Sequence, residues 1–253
     1  MTPTSLRGVL FDFDGTIADT ERFGHRVAYN RAFAELGLDW HWSESSYGEL
    51  LAVAGGQERL RHYVAVHQPH LTHDVATPAL LREVYRAKGR HFEALAAEIP
   101  LRPGVRRLMR ELHDASIAIA IATTAAQSGV EAVLRNHALF DWVDLIASGD
   151  DVEAKKPAPD VYLWALARLR LQAKDCIAVE DSNIGLRAAQ GARIATVVTV
   201  SDYTAADDFT GARAVVSDLG EENAPARRVR GLGPPRGIVD ITYLRDVLGR
   251  NDP

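Results

Sequence analysis

A single cysteine, Cys176, in 253 residues leaves no partner for an internal disulfide, and its place in the apolar run CIAV reads as a buried, inert thiol. No uninterrupted apolar run approaches the length needed to span a membrane, and the first residues, MTPTSLRG, carry no apolar segment of the secretory kind. A soluble protein of the cytoplasm with no membrane partner is therefore expected. An excess of positive charge is missing too. The chain has 29 Lys and Arg against 34 Asp and Glu, a net charge of -5, so nothing electrostatic favours nucleic acid as a partner. There is no Gly-Lys-Ser/Thr phosphate loop, and Gly231-Leu232-Gly233 runs into two prolines instead of a helix. A zinc site is also not expected from His62, His67, His70 and His73, since Pro69 interrupts the segment and no cysteine lies near.

What is present is an ordinary globular composition, 47% hydrophobic and 25% charged, long enough for a large core with an insertion. The organising stretch is GVLFDFDGTIADTE, Gly8 to Glu21. Val9, Leu10 and Phe11 form a run too short for a helix and right for a buried strand. It breaks into two carboxylates, Asp12 and Asp14, and into Gly15, where the backbone can turn sharply. Asp14-Gly15 as a hairpin turn is the bland alternative, but no partner strand follows. From Thr20 to Pro100 the patterns are helical, including Tyr47 to Val53, Gln57 to His67 and Pro78 to Ala97, which marks a helical insertion. Strand signals then return at Ile117 to Ala122, Val143 to Ala147, Cys176 to Val179, Ile194 to Val198 and Ala214 to Val216, alternating with helices. Glu221 to Gly237, rich in Arg, Gly and Pro, reads as a mobile loop, and Asp240 to Leu248 as a closing helix. The alternation predicts an α/β fold, a doubly wound parallel sheet with helices on both faces.

The chemistry lies at the predicted strand ends. The first strand stops at Asp12 and Asp14, the second at Thr123-Thr124, and the strand at Cys176 at Glu180-Asp181, while Lys156 stands before Pro157-Ala158-Pro159 at a helix entrance. Alone, Lys156 reads as a solvated charge and Glu180-Asp181 as an acidic pair at a helix N-terminus. In one parallel sheet they meet along one edge, where several carboxylates repel one another unless a cation neutralises them. Oxygen-only ligands suit a hard ion, and magnesium accepts a few carboxylates with a substrate phosphate. Lys156 and the Thr123 hydroxyl can receive phosphate oxygens. One carboxylate is then left to attack phosphorus and a neighbour to move the proton, which points to phosphoryl transfer.

In Asp12-Phe13-Asp14-Gly15-Thr16, Thr123, Lys156 and Glu180-Asp181 the chain resembles the haloacid dehalogenase superfamily of aspartate-nucleophile phosphatases. The resemblance implies a Rossmann-like core over residues 1–19 and 101–253, with a small helical cap over residues 20–100 whose closure excludes water. It implies Asp12 as nucleophile, Asp14 as general acid and base, and Thr123 and Lys156 as holders of the transferring phosphoryl group. Mg2+ would be bound by Asp12, the Asp14 backbone carbonyl and Asp181, with Glu180 as a direct or outer ligand. The stretches GGQERL, LRPGVRRLM and KKPAPDVY are similar to the CbbY-like phosphatases of sugar phosphates, a group to which xylulose 1,5-bisphosphate, an inhibitor of carbon fixation, is attached. On that likeness Glu21, His25, Tyr47, Gly55, Gly56, Gln57, Arg86, Lys88, Arg90 and Thr124 are candidates to contact a phosphorylated sugar. Gln57 departs from the basic residue that relatives carry there, which weakens a second phosphate contact unless Arg59, Arg86, Lys88 or Arg90 compensates. A monomer is expected. A β-phosphoglucomutase-type mutase shares the same signatures, and a non-catalytic phosphate-binding protein on the same fold is the third reading. Lys156→Ala is expected to cripple turnover while leaving the fold largely unchanged.

Overall fold

The computed structural model describes residues 5–53 and 55–250. The chain divides into two compact units, Met1–Asp19 with Leu101–Pro253, and Thr20–Pro100. No helix among the described residues is long and apolar enough to cross a membrane.

The first unit is built on a seven-stranded sheet. Its strands are β1 (Gly8–Phe11), β2 (Ala118–Ala122), β3 (Leu145–Ala147), β4 (Cys176–Glu180), β5 (Ala195–Thr199), β6 (Ala214–Val216) and β7 (Arg228–Gly231), in the spatial order β3-β2-β1-β4-β5-β6-β7. The first six are parallel, with Gly8 facing Ala118 on one side and Cys176 on the other. The chain moves outward from β1 to β2 and β3, then returns to place β4 on the far side of β1. That reversal opens a crevice beyond the carboxyl ends of β1 and β4.

Alternation along the strands divides the core. Leu10, Ala120, Ala122 and Ala178 pack with Val161, Tyr162 and Ala165 of the helix Asp160–Leu169 and with Ala188 and Ala189 of Asn183–Gly191. Small alanines on this face let the helices approach closely. Val9, Phe11, Ile119, Ile121, Ile177 and Val179 are equally buried and point the other way. The helices of that side, Val105–Asp114 and Ile241–Gly249, bury Leu108, Leu112, Leu244 and Val247.

The tail departs from its sequence reading. In place of a mobile loop over 221–237 there is an edge strand, β7, antiparallel to β6 with a register shift between Val215 and Val216, so the sheet is mixed. Its residues are all exposed, which removes the apolar alternation that marks a strand in sequence. Backbone bonds hold the segment instead, Ser217 N to Arg227 O at 2.9 Å and Ala226 N to Gly237 O at 2.8 Å. Arg107 adds donors to the carbonyls of Leu219, Gly220 and Val239 at 2.9 to 3.0 Å.

The second unit is helical, with α1 (Arg26–Glu35), α2 (Glu44–Leu50), α3 (Gly56–His67) and α4 (Thr77–Leu95). A π-helical turn, Glu21–His25, leads into α1. Its core is aromatic: Trp42 is fully buried, 4.5 Å from the Tyr29 ring and 5.1 Å from Phe33. The Asn30 amide pairs with both backbone groups of Trp42 and leaves neither unsatisfied. Ser43 caps α2 by accepting from Ser46 N, and Gly55, at φ +89°, begins α3 in a conformation that side-chain-bearing residues rarely adopt. His62, His67, His70 and His73 are all exposed.

Candidate active site

The ladder between β1 and β4 runs one residue past β1, because Asp12 N donates to Val179 O at 2.8 Å. This carries Asp12 to the rim of the sheet, beside the last residue of β4, Glu180. Asp12 is only 7% exposed and Glu180 is fully buried. Two carboxylates so placed need a counter-charge. Lys156 supplies one: its Nζ donates to Asp12 Oδ1 and to Glu180 Oε1, each at 2.7 Å. Lys156 arrives from the loop that precedes the helix Asp160–Leu169, and the first turns of that helix bring Tyr162 to donate to the same Glu180 oxygen.

Charges follow from that packing. Burial pushes the Asp12 carboxyl up to about 7, against the pull of Lys156, with Glu180 and Asp14 adding to the rise. Burial works against the Lys156 ammonium as well, but Asp12 and Glu180 outweigh it and hold its pKa above the ordinary value. Burial, then Glu180, keeps the Tyr162 hydroxyl protonated, so it stays a donor.

Asp12, Glu180 and Asp181 each bring one carboxylate oxygen to within 4.8 Å of the others. Glu180 Oε2 is buried with no hydrogen-bond partner, as is the Thr16 hydroxyl. An orphaned carboxylate oxygen in a nest of carboxylates fits a hard divalent cation. Glycines leave the room: a Cβ at Gly15, which also has φ +80°, would overlap the Asp181 carboxylate, and one at Gly185 would overlap Glu180. Asp14 is half-buried just beyond, close enough for its charge to raise Asp12. Thr123 continues the β2 ladder, its N bonded to Ala147 O at 2.9 Å and its hydroxyl accepting from Ala125 N at 3.0 Å. Thr124 is half-buried beside it, with the backbone of Gly149 close against it.

Within the helical unit the candidate residues fall into separate groups. Tyr47 donates to Glu21, and Arg59 donates to the Tyr47 hydroxyl at 2.8 Å and to Leu50 O at 3.2 Å. Burial and Glu21 hold the Tyr47 hydroxyl protonated. His25 Nδ1 meets Lys88 Nζ at 2.8 Å, and Lys88 lies 5.0 Å from the Phe92 ring centre. Gly56 accepts from the Tyr29 hydroxyl at 2.7 Å, beside Gly55. Gln57 and Arg86 line an open groove between α3 and α4, and Arg90 is ion-paired with Glu35 at 2.6 Å on the surface. These three are not drawn to the Glu21 or His25 groups.

Thr16 and Tyr162 lie inside the stretches DFDGT and KKPAPDVY, which by themselves give neither residue a role, and Arg59, named above only as a compensating charge, is a buried positioning group for Tyr47. Tyr162 had a usable signal: it lies six residues after Lys156, just inside the helix that the prolines open.

The family model for haloacid dehalogenase-like hydrolases matches residues 6–193. The plasmid CbbY protein of Cupriavidus necator is 45% identical over 225 residues, covering 87% of this chain and 88% of its own length. A crystal structure of a CbbY mutant from Rhodobacter sphaeroides in complex with xylulose-(1,5)bisphosphate is similar with a TM-score of 0.76 at 40% identity, over 86% of this chain and 96% of that one. A β-phosphoglucomutase from Clostridium difficile, 19% identical with a TM-score of 0.72 over 96% of this chain and 97% of its own, shares the fold.

Proposed function

The chain belongs to the haloacid dehalogenase-like hydrolases and is a phosphatase of that family, and from that premise we propose that it hydrolyses a sugar phosphate through an aspartyl-phosphate on Asp12, with magnesium as cofactor and xylulose 1,5-bisphosphate as preferred substrate. The observation that carries the reading is the buried Asp12–Lys156–Glu180 cluster at the carboxyl ends of β1 and β4, with the Asp181 carboxylate beside it.

Mg2+, held by Asp12, the Asp14 backbone carbonyl and Asp181 with Glu180 behind them, would withdraw charge from the phosphoryl oxygens. Lys156 and the Thr123 hydroxyl hold those oxygens in place. An Asp12 oxygen attacks phosphorus, the bond from phosphorus to the sugar oxygen breaks, and Asp14 gives that oxygen its proton. Water then attacks the same phosphorus while Asp14 takes its proton, which frees phosphate and restores the Asp12 carboxylate. Residues 20–100 act as a cap that reads the sugar, with Glu21, His25, Tyr47, Gly55, Gly56 and Lys88 as contacts and Arg59 holding Tyr47. The enzyme works as a monomer on a small molecule, with the cytoplasm, where the buried Cys176 thiol stays reduced, as its compartment.

Phosphate release from a panel of sugar mono- and bisphosphates, with magnesium or with EDTA, tests this. A pentulose bisphosphate ranks first and EDTA abolishes release. A flat profile or a preference for monophosphates removes the substrate assignment, and isomerised glucose phosphate without net phosphate release replaces the phosphatase by a mutase.

A further inference from the structure

The amino ends of three adjacent parallel strands carry a cation each. Lys174 stands two residues before β4, Arg193 two before β5, and Arg213 directly before β6. With Arg250, at the end of the closing helix, they line one open pocket of about 650 Å³. Among the described residues no acidic side chain lines it, in a chain whose net charge is -5. That volume lies within the ~300–1,000 Å³ of small-molecule sites.

The pocket has built walls. Gly211, at φ +90°, leaves space that a Cβ would take from the Gln190 amide, and Gln190 Nε2 donates to Thr210 O at 3.1 Å, which fixes that wall. Arg193 adopts φ +60°, a conformation that costs a side-chain-bearing residue energy, and its N–H bonds back to Gln190 O at 2.8 Å. The C-terminal dipoles of the helices Asn183–Gly191 and Ile241–Gly249 account for Arg193 and Arg250 at this place. They do not account for Lys174 and Arg213. Arg213 donates to the carbonyl of Arg250, which ties the closing helix to the same rim. The five residues of β4, at ~3.3 Å each, put roughly 15 Å of strand between this rim and Glu180. The pocket is therefore distinct from the catalytic crevice.

We infer that this pocket is a second anion site, which binds a small organic ligand bearing two phosphoryl groups, of the sugar-bisphosphate or nucleoside-diphosphate class. Guanidinium groups match phosphoryl oxygens in geometry, and cations spread over one concave surface suit a ligand with two separated phosphoryl groups. The inference goes beyond the hydrolytic reaction and does not depend on it.

Calorimetric titration of the whole protein in EDTA with pyrophosphate, ADP and fructose 1,6-bisphosphate tests it, beside the double variant Lys174→Ala/Arg193→Ala. Saturable binding of at least one probe is expected, weakened roughly tenfold or more in the double variant as two charge-assisted contacts are lost. Magnesium-dependent release of phosphate from p-nitrophenyl phosphate by the double variant stays at the wild-type rate. ADP alone binding assigns the site to nucleotides, and ADP and fructose bisphosphate binding alike assigns it to the paired phosphoryl groups. The inference is overturned if none of the three probes saturates, or if the double variant binds them as tightly as the wild type.

Discussion

Lys156→Met is the most informative perturbation, because the lysine faces two buried carboxylates at once. At an effective dielectric of about 20, each unit-charge contact at 2.7 Å is worth about 6 kcal/mol of gross attraction. Against this stands a cost of several kcal/mol for stripping water from the lysine, a cost that the variant no longer bears. The net loss is of order 3–5 kcal/mol, the usual result of removing one partner of a buried ion pair. That is a large share of a domain's ~5–15 kcal/mol, so the variant is expected to lose stability and not turnover alone. Urea unfolding at pH 7 in EDTA measures the loss, with Lys156→Arg, which keeps the charge, as the milder control. The sign of the pH effect follows from Asp12. In the folded protein it holds its proton to about 7, whereas unfolded it releases it near 4, so stability falls as pH rises across that window. The deficit of Lys156→Met widens over the same window and shrinks toward pH 5. Magnesium narrows it by binding the folded state alone. A variant within about 0.5 kcal/mol of wild type at pH 7 in EDTA refutes the reasoning, since a surface charge behaves that way.

Three further outcomes follow from the geometry. Gly185→Ala, which in an ordinary helix stabilises by about 1 kcal/mol, here drives a methyl into the Glu180 carboxylate, so both the melting temperature and magnesium affinity fall; a rise in both contradicts the site. Burial pushes the Cys176 thiol up to about 12, with Asp175 adding and Arg7 opposing. The proton is thus retained longer in the folded state, and stability is lost from about pH 8.5 upward by as much as about 1.4 kcal/mol per pH unit for this group; Cys176→Ser has a shallower slope in pH-dependent urea unfolding, and an equal slope removes the thiol as its cause. Arg59→Leu strips the Tyr47 hydroxyl and the Leu50 carbonyl of their buried donor, which raises KM for the sugar bisphosphate more than it lowers kcat and leaves magnesium affinity unchanged; an unaltered KM separates Arg59 from substrate recognition.

Much of the α/β unit was legible because its strands are short apolar runs closed by polar residues. The run Ala214–Val216 carries the same bounds in sequence and in structure. β7 was not legible, since all four of its residues face solvent and its hydrogen bonds come from backbone. Among the site residues, Asp12, Thr123 and Glu180 stand out because the chemistry-bearing residue directly follows or ends an apolar strand. The double contact of Lys156 did not, because a loop lysine carries no period that says where its amine goes. In the helical unit, polarity alone could not say that Gln57 and Arg86 line an open groove and Arg90 pairs with Glu35 at the surface while Glu21, His25 and Lys88 join hydrogen-bonded groups, because polar residues serve equally in both settings. Only the packing of α1 against α4 and the aromatic core tells the two apart.

The covalent step on Asp12 is tested most directly by acid-quenching the enzyme during turnover with labelled sugar bisphosphate and reducing the trapped protein with borohydride. A transient acyl phosphate converts the Asp12 side chain to that of homoserine, which mass spectrometry reads in the peptide spanning Gly8 to Glu21, and Asp12→Asn gives neither the conversion nor phosphate release. Full turnover with no protein-bound phosphate at any time, or with the label on another residue, contradicts the account.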